Sequence, residues 1–189
     1  MTERWRCFVA VSLDAMLLTA LSAAVARWRQ EPPADALRWA APDGWHLTLA
    51  FLGSVDPRAV DGIAATVHRV AILHTPMQVR TGRLGAFPRS GSARVLWHGV
   101  TDPDGALAAL AADLGDALGL PRDEPFRPHV TMARARRRPV DLRGWIEAAS
   151  IAAPHGGLTV RTVELVRSHP GAGPARYETL ATFTLGGAS

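Results

Sequence analysis

The sequence predicts an α+β fold, and three observations predict it. Helix-like and strand-like stretches interleave along the 189 residues. Several strand-like stretches follow one another with no room for a crossover helix; parallel neighbours need about a dozen connecting residues or more, so these strands pair as antiparallel hairpins. The composition, 48% hydrophobic and 20% charged, is that of a packed globular chain, and no linker-like stretch divides it. At this length about 70% of the unfolded surface can be buried, so a core forms without disulfide or metal staples.

Residues 5–13 (WRCFVAVSL) are aromatic and β-branched and read as a strand. Asp14 then opens a helix to about Gln30, with Leu17, Leu21, Ala24, Val25 and Trp28 at helical spacing. Pro32-Pro33 breaks it. Residues 37–40 form a short strand, Pro42-Asp43-Gly44 a turn, and residues 45–52 (WHLTLAFL) a strand that stops at Gly53. Pro57 opens a second helix to about Leu73, with Val60, Ile63, Ala64, Val67 and Val70 on one face. Residues 77–87 and 93–100 read as strands joined by a turn-rich loop at 88–92. An Ala/Leu helix over 103–118 ends at Gly119. A strand over 126–135 (FRPHVTMARA), a shorter helix over 140–152 and two closing strands over 158–167 and 176–185 complete the chain. A loop at 169–174 joins the last two.

Several classes are excluded. No stretch approaches the ~20 consecutive apolar residues of a membrane span. Asp14 ends the first apolar run, and no small-residue cleavage site follows, so a secretory signal is not expected and the cytoplasm is the expected compartment. Cys7 is the only cysteine, which rules out a disulfide framework and a Cys-based zinc site, and its apolar neighbours make it a buried small hydrophobe. The net charge is +4, and all 21 basic residues are arginine. Arginine matches phosphate oxygens in a bidentate way, although a general preference for arginine codons would give the same count. The charge permits a phosphate-rich partner without requiring one. The basic run Arg134–Arg138 is either a solvated loop or a phosphate-facing patch.

One short repeat carries chemistry. His46-Leu47-Thr48-Leu49-Ala50 recurs 83 residues later as His129-Val130-Thr131-Met132-Ala133. One copy alone would be ordinary surface alternation, but chance gives both copies in only about one such chain in a hundred. On a strand, residues i and i+2 share a face. His46 and Thr48 therefore point one way, and Leu47, Leu49 and Phe51 the other. His129 and Thr131 likewise oppose Val130 and Met132. Two such strands facing a cleft would present two imidazoles and two hydroxyls. An imidazole pair can supply both a base and an acid near neutral pH, and hydroxyls can hold phosphate oxygens. That is equipment for in-line cleavage at phosphorus, with no metal expected. Two histidines are too few for a zinc site, and neither motif contains an Asp or Glu. No Walker A, G-x-S-x-G or Rossmann glycine pattern is present.

These residues resemble the 2H phosphoesterases, whose signature is a pair of H-x-T-x motifs. Within them the chain is similar to the LigT-like RNA 2′,3′-cyclic phosphodiesterases, also called 2′-5′ RNA ligase-like proteins. The similarity extends over Arg6–Leu13, His46–Gly53, Phe87–Arg89 with Ala93–Trp97, Phe126–Arg134, and Leu165–Ser168 with Tyr177–Leu180. The resemblance implies one domain over residues 1–189, built of two pseudo-symmetric lobes with antiparallel sheets flanking a central basic groove and helices outside. It implies His46 as proton donor to the leaving ribose oxygen and His129 as the base that activates water. Thr48 and Thr131 would bind the phosphate. Arg134 matches an arginine of the family's second motif, although regular alternation would turn it away from His129. Arg127 shares parity with His129 and is a candidate for groove charge. The implied reaction opens a 2′,3′-cyclic phosphate at an RNA end to a 2′-phosphomonoester, without cofactor or membrane, in a monomer. The reverse joining of RNA ends, a different cyclic phosphate as substrate, and an inactive RNA-binding module stay open as alternatives.

Overall fold

The computed structural model describes residues 3–121, 125–169 and 175–186. Four helices are present among them: α1 (Ala15–Trp28), α2 (Val60–Ala71), α3 (Ala106–Ala117) and α4 (Arg143–Ile151). The strands are β1 (Trp5–Ser12), β2 (Leu37–Trp39), β3 (His46–Val55), β4 (Met77–Phe87), β5 (Val95–Thr101), β6 (His129–Ala135), β7 (Gly156–Val160), β8 (Thr162–His169) and β9 (Arg176–Thr184). The fold is α+β, and every recorded strand pair is antiparallel.

Among the described residues the strands form one sheet in the order β7-β4-β5-β6-β3-β1-β8-β9, with β2 added beside β6. It has two halves of like build. In one, β5, α3 and β6 follow each other and β4 lies outside β5; in the other, β1 and α1 are followed, after the short β2, by β3, and β8 lies outside β1. The halves meet where β3 pairs β6 at Leu47↔Val130. The two motif strands are thus the innermost strand of each half.

Alternation decides what each face of the sheet does. Cys7, Val9 and Val11 of β1, Leu47 and Leu49 of β3, and Val130 and Met132 of β6 enter the main core. The buried faces of the helices join them there, including Leu17, Leu21, Ala24, Val25 and Trp28 of α1, as their spacing predicts. Asp14 caps α1 by accepting a hydrogen bond from the Leu17 amide at 2.7 Å. Fully burying a side chain such as Leu47 is worth about 1.5–3 kcal/mol, so this alternation fixes the register firmly. Among the described residues, Phe8, Ala10 and Val166 form a second, small cluster of buried apolar side chains on the opposite face. That face bears the groove described below.

Several expected boundaries move. The strand expected to stop at Gly53 runs on to Val55, because Gly53 takes a left-handed conformation (φ 68°) at an irregularity opposite Cys7 and the pairing continues. The strand expected from residue 126 begins at His129; Pro128 has no N–H to give, and only its carbonyl joins the ladder, accepting from Val100. The stretch 158–167, expected as one strand, is broken at Arg161. Its first part pairs with β4 in one half, while β8 pairs with β1 in the other. Its continuous apolar alternation hides the crossing between halves. The loop at 169–174 begins at His169, which the structure keeps in β8; residues 170–174 lie outside the described residues.

Candidate active site

Counting outward from Leu47↔Val130, the antiparallel register sets His46 beside Thr131 and Thr48 beside His129. All four face one groove of about 500 Å³. The sequence-predicted constellation is therefore brought together, on adjacent strands rather than across a wide cleft.

The backbone treats both motif copies alike. Opposite β1, the register jumps from Val9↔Ala50 to Ala10↔Thr48, leaving Leu49 as an extra residue. Opposite β5, it jumps from Leu96↔Ala133 to Trp97↔Thr131, leaving Met132 as the extra residue. Each is a β-bulge, which lets two successive side chains face the core and reverses the alternation beyond. Leu49 and Ala50, and likewise Met132 and Ala133, are all buried. The alanine in both copies is the small residue that makes the second of these fit.

The bulges correct two expectations from regular alternation. Phe51, expected on the core face, is 49% exposed, lines the groove and pairs with Phe8. Arg134, expected to point away from His129, lines the same groove. Phe51 and Arg134 occupy matching places in the two copies. Arg127, expected to supply groove charge through shared parity, does not line the groove, because Pro128 ends the regular strand before it. Its contribution to the site is its backbone carbonyl.

That carbonyl has a counterpart. His129 Nδ1 lies 2.6 Å from the Arg127 carbonyl, and His46 Nδ1 lies 2.8 Å from the Gly44 carbonyl. A carbonyl only accepts, so Nδ1–H donates in both rings, which leaves both Nε2 atoms as the nitrogens that gain or lose a proton. Aromatic neighbours hold the rings. Phe8 stacks on His46 at 4.6 Å, and Tyr177 meets it edge-on at 5.0 Å. Phe87 meets His129 edge-on at 5.0 Å, with Trp97 at 6.3 Å. Trp97 lies over Gly85, where a Cβ would stand 2.1 Å from the indole; glycine is required there.

Burial pushes the His46 pKa below the ordinary histidine value; the Gly44 carbonyl bond opposes this, and the charges of His129 and Arg134 add to the lowering. Burial also lowers His129, opposed by the Arg127 carbonyl bond and reinforced by Arg134. Among the described residues the groove walls hold Arg6, Arg38 and Arg134 and no carboxylate or thiol. Sequence reasoning missed Arg6, Arg38 and Tyr177. Arg6 could have been found, since it alternates with Cys7 and so shares a face with Phe8. Arg38 and Tyr177 reach the groove only through pairing that no local pattern announces. Cys7 is buried as expected, and burial pushes its thiol pKa up. Among the described residues no three His, Cys, Asp or Glu side chains gather as a metal site, and no helix is long and apolar enough to cross a membrane.

Residues 18–172 match the sequence profile of the 2′-5′ RNA ligase superfamily. The chain belongs to that superfamily. A superfamily relative from Geobacillus stearothermophilus, named RNA 2′,3′-cyclic phosphodiesterase, is 33% identical over 79% of this chain, a match spanning 48% of that protein's own length. One of the same name from Thermus thermophilus is 34% identical over 69% of each chain. The crystal structure of Escherichia coli LigT complexed with 3′-AMP superposes with a TM-score of 0.73 at 26% identity, covering 97% of this chain and 99% of that one.

Proposed function

We propose that this chain is a cyclic phosphodiesterase that opens 2′,3′-cyclic phosphates at RNA ends to 2′-phosphomonoesters, using two histidines and no metal. The observation that carries this reading is the meeting of His46, Thr48, His129 and Thr131 in one groove that no carboxylate lines among the described residues, each ring's Nδ1 tied to a carbonyl and its Nε2 left to act. The names of the Geobacillus and Thermus relatives support the substrate class.

Each residue has a part. Neutral His129 accepts a proton at Nε2 from a water whose oxygen attacks phosphorus. The bond from phosphorus to the 3′ oxygen breaks in line, and protonated His46 gives its Nε2 proton to that oxygen. The 2′ ester bond survives, so the product is a 2′-phosphate with a free 3′ hydroxyl. His129 leaves the step protonated and His46 neutral, and solvent exchange restores both. Thr48 and Thr131 donate to the nonbridging oxygens as charge builds on them. Arg134, on the groove face beyond the second bulge, adds a cation for the same charge. The chain works as one catalytic domain to which each half contributes one motif.

The test is turnover of a 2′,3′-cyclic mononucleotide in excess EDTA, with the product isomer identified. The expected product is the 2′-monophosphate at an undiminished rate. Loss of activity in EDTA restored by one metal, or release of the 3′-phosphate, would contradict the reading.

A further inference from the structure

Two arginines stand directly opposite each other at one end of the groove. Arg38 of β2 pairs in register with Arg134 of β6, and both line the groove wall. Like charges opposed across a strand pair destabilise a sheet. The ion pairs recorded among the described residues involve Arg143, Arg167, His74 and His169, and none reaches Arg38 or Arg134. Arg6, the other groove arginine, is already engaged, its guanidinium 4.7 Å from the centre of the Phe51 ring. The fold also spends bonds on keeping Arg38 where it is. The Arg136 side chain donates to the Leu37 carbonyl at 3.1 Å and the Arg136 amide to the Ala36 carbonyl at 2.9 Å on one side of the opposed pair, and the Ala40 amide donates to the Met132 carbonyl at 2.8 Å on the other, so β2 is tied to β6 on both sides.

Two arginines held opposite each other on one groove wall, with no ion pair to either among the described residues, suit an anion shared between them, and paired guanidiniums suit phosphate oxygens. Arg134 lies three residues beyond Thr131 on its strand, about 10 Å at ordinary strand rise and within an arginine's reach of the phosphate at the histidines. We propose that Arg38, together with Arg134, binds a second phosphate of the substrate: the one on the 5′ side of the terminal nucleotide. This rests on the reading of the groove as a cyclic-phosphate site and extends it, because Arg38 then makes the enzyme favour substrates phosphorylated at the 5′ position over a bare nucleoside cyclic phosphate.

Binding tests this independently of turnover. The affinities of adenosine 2′-phosphate and adenosine 2′,5′-bisphosphate are measured calorimetrically for wild type, Arg38→Gln and Arg38→Lys. Wild type should bind the bisphosphate about tenfold or more tightly than the monophosphate, Arg38→Gln should lose most of that preference, and Arg38→Lys should keep part of it. Arg38 is exposed on a short added strand, and removing one of two opposed like charges should leave thermal stability unchanged or higher. The kinetic arm compares kcat/KM for an adenosine 2′,3′-cyclic phosphate with a 5′ hydroxyl, the same compound with a 5′ phosphate, and a dinucleotide with a cyclic end. The loss in Arg38→Gln should be about tenfold greater for the two phosphorylated compounds than for the first. Equal losses on all three would put Arg38 at the reacting phosphate and overturn the proposal. So would a wild type with no preference for the bisphosphate, or a preference confined to the dinucleotide that survives Arg38→Gln. Absence of turnover with bisphosphate preference intact would overturn the catalytic reading and leave the second phosphate site standing.

Discussion

The two motif copies share a backbone and differ in what surrounds it. Each has a histidine whose Nδ1 donates to the carbonyl two residues earlier, a threonine one step inward, and a bulge that turns an apolar residue and an alanine to the core. Beyond the bulge they part. The first copy presents Phe51, and its histidine is stacked on Phe8 and edged by Tyr177. The second presents Arg134, and its histidine is edged by Phe87 alone at close range. Repetition therefore supplies geometry, two histidines in one groove with Nε2 left free by the Nδ1 bonds, while the unlike neighbours suit the unlike parts proposed for the two identical side chains.

The strongest way to break this picture is to remove either ring. His46→Ala and His129→Ala should each lower kcat by ~10³-fold or more, since acid and base roles each contribute ~10²–10⁴. A folded His46→Ala protein with near-wild-type kcat would end its assignment as proton donor. The threonines come next and should be matched: Thr48→Ala and Thr131→Ala should each cost ~10²–10³-fold in kcat, as for the loss of one donor to transition-state oxygens. A large inequality between them would show that the two copies do not hold the phosphate alike.

A third histidine sharpens the contrast from the other face of the sheet. His98 pairs with Val130 but is fully buried, donates from Nε2 to the Pro154 carbonyl at 3.0 Å, and has no partner for Nδ1 among the described residues. Burial, opposed by that bond and aided by the charge of His155, lowers its pKa to about 4. Folded protein keeps His98 neutral down to that pH, whereas the unfolded chain takes up the proton below about 6.5. Stability is therefore lost as pH falls from 6.5 towards 4, by ~3 kcal/mol from this residue. Urea titrations across that window should show His98→Gln losing less stability than wild type by about this amount.

Smaller effects follow from the residues that differ. Arg134→Gln should raise KM about tenfold or more and weaken the salt dependence of binding, whereas Phe51→Leu, at the matching place without charge, should change kcat/KM by only a few fold. The smallest effect is on pH. The proposed mechanism requires His129 neutral and His46 protonated, so under it activity rises through the first group's pKa and falls through the second's. Burial lowers both, which places the bell in kcat/KM below pH ~6.5. An anionic substrate raises both pKa values, so the bell in kcat should lie at higher pH. A kcat/KM bell centred well above 7 would mean the rings are solvated in the free enzyme.

The four central residues were legible because period-2 alternation is a strict geometric rule and both motifs begin on regular strand. The same rule failed three residues later, at Phe51 and Arg134, because nothing local distinguishes a bulge at Leu49-Ala50 or Met132-Ala133 from ordinary apolar strand. It failed for Arg127 because Pro128 ends the ladder. The helices were legible through their buried stripes, and the antiparallel sheet through the lack of crossovers. The passage of the chain between halves at Arg161 was not, since both flanking strands are buried alike. Arg38 and Tyr177 come to the groove through strand order, which is a property of the assembled sheet, whereas the face of Arg6 follows from alternation with Cys7.

Isotope-edited NMR of the histidine ring nitrogens, read while adenosine 2′-phosphate is added, addresses the meeting of the two rings most directly. His46 and His129 should both carry the neutral-state proton on Nδ1, and both Nε2 resonances should move in parallel with saturation of a single site. Nε2–H tautomers in the free protein, or a response from one ring alone, would mean that the two imidazoles do not share a phosphate.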